Sequence, residues 1–125
     1  MRRVAITGIG IVSCIGNSTA EVSESLKNGK SGISRADKYV ELGFRSQIYG
    51  MPALDIEARV DKRVRRFMGE GAAWNYVAME QAIADAGLEE NDIINPMTGL
   101  IMGSGGPSTR TLVEAADTTR DSGPK

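Results

Sequence analysis

Apolar positions along this chain fall into two kinds of run, and the two kinds alternate. Residues 4–9 carry Val4, Ala5, Ile6 and Ile9 without regular polar alternation and close on Gly8 and Gly10. That pattern predicts a strand covered on both faces. Residues 99–102 repeat it and run into Gly103, Ser104, Gly105, Gly106 and Pro107. Between them, residues 30–60 mix glycine, proline and both charges, which predicts an irregular excursion with one strand-like stretch at 44–49. The helical signals are sharper. Ser18 with Glu21 three residues on forms a capping-box pattern, Val22 and Leu26 follow one turn apart, and Asn28-Gly29 ends the helix. Asp61 is the N-cap of a short basic turn reaching Met68, and a longer helix is expected over 71–86, closed by Gly87-Leu88. Ser108 opens a last helix running toward Arg120.

Strand, glycine turn and helix in that order predict a layered α/β domain. The helix over 71–86 has Ala72, Ala73, Trp74, Tyr76, Val77, Met79, Ile83 and Ala84 on several faces, as for a helix packed between layers. Two clear strands and one doubtful one are too few for a free-standing parallel sheet. Residues 1–125 are therefore expected to form an incomplete domain, with Ser122-Gly123-Pro124-Lys125 resembling a cut at an exposed loop tip.

Composition narrows the function classes. Fifteen basic and sixteen acidic residues leave a net charge of -1. Neither nucleic acid nor an anionic membrane would meet a global attracting field, so an electrostatic partner must meet a local patch. Fifteen glycines in 125 residues, clustered after apolar runs, point to close backbone turns beside a site. The lone cysteine, Cys14, excludes an internal disulfide framework and fits a reducing, cytoplasmic compartment. The start, Met1-Arg2-Arg3 before an apolar run, imitates a secretory signal, but Thr7, Gly8, Gly10 and Ser13 interrupt the run and favour a buried strand. No stretch reaches the ~20 apolar residues of a membrane span.

Most familiar chemistry is excluded residue by residue. Gly8-Ile9-Gly10 begins a dinucleotide fingerprint, but Ser13 stands at the third glycine. Asn28-Gly29-Lys30-Ser31 follows a helix and lacks the upstream glycine of a phosphate loop. The chain has no histidine. That removes Ser-His-Asp and Cys-His catalysis and the commonest transition-metal ligand, so no catalytic residue and no metal ligand is assigned. Cys14, in an apolar strand-to-turn segment, reads as packing. Lys62, Arg63, Arg65 and Arg66 are the sharpest charge feature, spanning about 160° of a helical turn. A solvated face and a docking face for an acidic macromolecule both fit that arc.

The segments VAITGIGIVS at 4–13, KSGI at 30–33, RFM at 66–68, MEQAIADAGL at 79–88 and GSGG at 103–106, in this order and spacing, resemble the elongating β-ketoacyl-acyl-carrier-protein synthases. The resemblance runs over the whole chain and covers about the first third of such a protein. It implies the N-terminal part of a layered thiolase-like fold, a homodimer, and no metal or redox cofactor. It also implies a cysteine nucleophile that takes an acyl group from its carrier, and two histidines that stabilise charge as malonyl carrier decarboxylates and attacks. None of these three maps here, and Cys14-Ile15-Gly16 does not match the nucleophile's turn. The resemblance places Gly105, Gly106 and Pro107 beside the acyl pocket near the dimer interface, with Pro107 where a further glycine is expected. It places Lys62, Arg63 and Arg66, with Lys125 as a second position, against the acidic acyl carrier protein and its phosphopantetheine-linked acyl and malonyl groups. A non-catalytic fragment or subunit of this fold, acting as a carrier-binding or dimer scaffold, is the alternative; sequence beyond Lys125 discriminates the two.

Overall fold

The computed structural model describes residues 2–106 and 108–123. In chain order the elements are α1 (Thr19–Lys27), β1 (Ile33–Arg35), α2 (Asp37–Glu41), β2 (Ile48–Gly50), α3 (Ile56–Arg59), α4 (Lys62–Arg65), α5 (Glu70–Asp85), α6 (Glu90–Ile93) and α7 (Thr109–Ser122). The helices start where capping residues stand. Ser18 Oγ accepts from the Glu21 N–H at 3.2 Å, Asp61 from Arg63 at 2.7 Å, and Ser108 from Thr111 at 3.4 Å. Each cap satisfies a donor that the first helical turn leaves orphaned. Glu21 reaches back to the N–H of Asn17 rather than Ser18, at 2.7 Å, so the capping box is displaced by one residue.

The helix ends are equally chemical. α5 closes with Gly87 at φ +65°, its N–H on the Ala84 carbonyl and the Leu88 N–H on that of Ile83. This pair of bonds requires a left-handed residue, which glycine adopts without a Cβ clash.

The excursion at 30–60 contains the only strands found among the described residues. β1 and β2 pair antiparallel with Ile33 opposite Gly50 and Arg35 opposite Ile48. Tyr39 on α2 caps this ribbon, its ring 5.2 Å from Phe44 and 6.2 Å from Tyr49. The strand expected over 44–49 is thus shifted to Ile48–Gly50, and its partner at 33–35 was not foreseen.

The strands expected at 4–9 and 99–102 are not formed: neither segment belongs to a ladder. Residues 8–11 run instead along α5. A Cβ on Gly8 would sit 2.7 Å from the Ala86 nitrogen, and one on Gly10 would strike the Ala78 carbonyl. Two residues of this segment advance while α5 recedes by about one turn, so the segment is extended and antiparallel to the helix. The Ile9 N–H donates to Asp85 Oδ2 at 2.9 Å and the Ile11 N–H to Gln81 Oε1 at 3.1 Å. Two side chains one helical turn apart therefore take two donors that a neighbouring strand would otherwise take. Residues 100 and 101 stay exposed, as do Val4 and Ile6.

Among the described residues the buried apolar ones are small and few: Val22, Ala36, Val60, Ala73 and Val77. α5 supplies two of them, one turn apart, and Val77 is wholly buried. The rest of its apolar circumference is half-buried or exposed, so the expectation of a helix covered on most sides fails among the described residues. Ser25 is buried too, and its hydroxyl donates to the Ile15 carbonyl at 2.6 Å.

Candidate functional site

Two features carry chemistry, and both lie at the N-terminal end of α5. The first is the basic turn. Between the buried Val60 and the half-buried Met68, α4 presents Lys62 and Arg63, and Arg66 follows as its C-cap residue. All three are exposed. The Arg66 guanidinium lies over the Phe67 ring, 4.4 Å from its centroid, a contact worth about 0.5–1 kcal/mol at an exposed site. Arg65, which the sequence grouped with the others, is partly buried and paired with Glu57 of α3. The structure therefore divides the four cations into three on one face and one beside it.

The second feature is an open groove of about 700 Å³ between the start of α5, the loop at 102–106 and α7. Trp74, Met102 and Leu112 give it an apolar wall, and Gly103, Ser104 and Gly106 form its rim. Ser104 shapes that rim, its hydroxyl donating to the Gly106 carbonyl at 2.6 Å and so spanning Gly105. A Cβ at Gly103, Gly105 or Gly106 would meet nothing within 4 Å. Packing within this chain does not demand glycine there. Arg110 of α7 pairs with Glu70 of α5 and fixes the groove's two helices to each other. Two further candidates, Pro107 and Lys125, lie outside the described residues.

Cys14 is half-buried against Gly32 and Gly50, where a Cβ would come within 2.8 and 3.0 Å of its sulfur. Its packing role stands. It also borders a second, polar hollow of about 330 Å³ with Asn17, Glu21, Glu24 and Lys30. Among the described residues no three His, Cys, Asp or Glu side chains gather as metal ligands, and no helix is long and apolar enough to cross a membrane. Tyr76 on α5 is held above its ordinary range of about 10 because the Glu80 carboxylate accepts its proton in a hydrogen bond. Repulsion from that same carboxylate adds to the effect, with smaller contributions from burial and from Asp61.

The family model for the beta-ketoacyl synthase N-terminal domain matches residues 1–124. The chain belongs to the β-ketoacyl synthase N-terminal domain family. The chain is 46% identical over 120 residues to 3-oxoacyl-[acyl-carrier-protein] synthase 1 of Haemophilus influenzae, covering 96% of itself and 30% of that protein. It is 47% identical over 121 residues to the Escherichia coli K12 protein of the same name, with the same coverage. A solved β-ketoacyl synthase from Burkholderia phymatum superimposes with a TM-score of 0.77 at 29% identity, over 99% of this chain and 31% of that one. The fold is α/β, the N-terminal part of the layered thiolase-like fold. The chain spans about three tenths of the length of the relatives it matches.

Lys62, Arg63 and Arg66, singled out from the sequence, stand exposed on one turn, and Gly106 lines the groove; Glu57, Phe67, Trp74 and Leu112 were not singled out as site residues. Helical spacing held a partial signal, since Trp74 and Leu112 each stand four residues beyond Glu70 and Ser108, which open α5 and the groove's far wall. Glu57 had none, because its partner lies across a break between two short helices.

Proposed function

We propose that these residues are the N-terminal section of a 3-oxoacyl-acyl-carrier-protein synthase, which condenses an acyl group with malonyl carrier during fatty-acid chain elongation. The observation that carries this reading is an exposed triad, Lys62, Arg63 and Arg66, on a chain that aligns along 96% of its length with proteins of that name. The intact protein is a cytoplasmic homodimer needing no metal or redox cofactor. Its nucleophilic cysteine and two histidines lie outside these 125 residues. The cysteine takes the acyl group from one carrier thioester, releasing the carrier thiol. Malonyl carrier then loses carbon dioxide, and the resulting carbanion displaces the cysteine thiolate to give the ketoacyl carrier.

This section contributes recognition. Lys62, Arg63 and Arg66 dock the acidic carrier protein, with Lys125 adding a second contact, and the loop of Gly105, Gly106 and Pro107 borders the acyl chain. Exposed charge pairs contribute only ~0.2–1 kcal/mol each, so one substitution weakens docking modestly and all three together weaken it about tenfold or more. The test compares Lys62→Glu/Arg63→Glu/Arg66→Glu with the parent in the full-length enzyme. A raised KM for carrier-bound substrate, with small thioester mimics spared and salt imitating the mutation, supports the reading. Equal loss on both substrate types assigns the turn to folding instead.

A further inference from the structure

The ion pair beneath the basic turn has a geometry of its own. Arg65 meets Glu57 at 2.5 Å, with the arginine side chain 27% exposed and the carboxylate 79% exposed. At about 100° per residue, Lys62, Arg63 and Arg66 share an arc of about 100°, and Arg65 lies about 60° outside it. A partner centred on the triad therefore lies about 110° around the turn from Arg65, whose charge is paired with Glu57 of α3. The four-residue α4 is too short to hold its own orientation, since isolated helices need about 12–15 residues even for marginal stability. α3 is as short and, like α4, Asp-capped, by Asp55, which accepts from Glu57 and Ala58, but it rests on α5, the longest element among the described residues. The link from Arg65 to Glu57 thus ties the docking turn to the frame.

We propose that Arg65 and Glu57 form a positioning pair that sets the angle of the carrier-docking face without touching the carrier. This rests on the docking reading above. The opposite arrangement, in which Glu57 is an internal acid competing with the carrier for the basic face, makes the opposite prediction.

The experiment uses the full-length enzyme with Arg65→Gln, Glu57→Gln, the charge swap Glu57→Arg/Arg65→Glu, and the triad reversal as reference. Each neutralised single is expected to raise KM for carrier-bound substrate about two- to fivefold, the span set by exposed ion pairs, with kcat and turnover of small thioester mimics unchanged. The swap restores KM toward the parent, because it keeps the pair and reverses only its polarity. A lowered KM in Glu57→Gln overturns the proposal in favour of competition. Unchanged KM in both singles beside a raised KM in the triad reversal overturns positioning and leaves docking standing. An unchanged KM in the triad reversal overturns docking and positioning together, and equal loss on both substrate types reduces the pair to a folding role.

Discussion

At the scale of single residues, glycines in this chain do two different jobs, and substitution separates them. Gly10 lies where a Cβ would strike the Ala78 carbonyl, whereas a Cβ on Gly71 meets nothing within 4 Å. In the full-length protein, Gly10→Ala is expected to cost about 1–3 kcal/mol by forcing the first segment off α5. Gly71→Ala, in the first turn of α5, should be neutral or stabilise by up to about 1 kcal/mol. Chemical denaturation of the two variants checks this, and equal effects would contradict the close approach. Tyr76 gives a pH prediction of the same grain. Its folded pKa is raised by Glu80, so its contribution to stability is intact below about 10 and is lost as pH rises through the higher folded value. Absorbance titration at the phenolate band should show one tyrosine ionising late in the parent, and Glu80→Gln should lower it toward the ordinary range. The roles of Gly87 and Ser18 were legible in the sequence because a cap is local chemistry. That of Gly10 was not, since the atom it must avoid belongs to a residue 68 positions away.

At the scale of elements, the same contrast explains which helices and strands were read correctly. α1, α5 and α7 stand within a residue or two of their expected bounds, for their caps and apolar spacing are written in consecutive residues. The strands at 4–9 and 99–102 were misread as formed elements because a strand is a relation between two segments, and no second segment pairs with either one here. α5 substitutes for the missing neighbour through Gln81, which accepts from Ile11 and donates to the Asn17 carbonyl at 2.7 Å. Gln81→Leu removes both bonds and leaves two backbone groups unpaired. It should lower stability by about 1–3 kcal/mol, seen as a shifted denaturation midpoint with unchanged slope. A variant as stable as the parent would show that those backbone groups find other partners in the full protein.

At the scale of the whole molecule, large apolar residues stand exposed around a small core. Val4, Met97 and Ile101 are each more than nine-tenths exposed, beside a core of five small apolar side chains. Such surface favours association, so residues 1–125 made alone are expected to be poorly soluble or oligomeric. Size-exclusion chromatography with a thermal melt checks this, and a monodisperse monomer with a sharp transition would show a self-sufficient domain. The basic turn was legible in the sequence because its residues lie close together, but its split into an exposed triad and an Arg65 paired with Glu57 was not, since Glu57 had to be placed by the fold. The most direct test of the central claim is a condensation assay with acyl and malonyl carriers on the full-length protein and on residues 1–125 of verified mass. The full-length protein should extend the acyl chain by two carbons and the shorter chain should not. Extension by residues 1–125, or none by the full-length protein, would contradict the account.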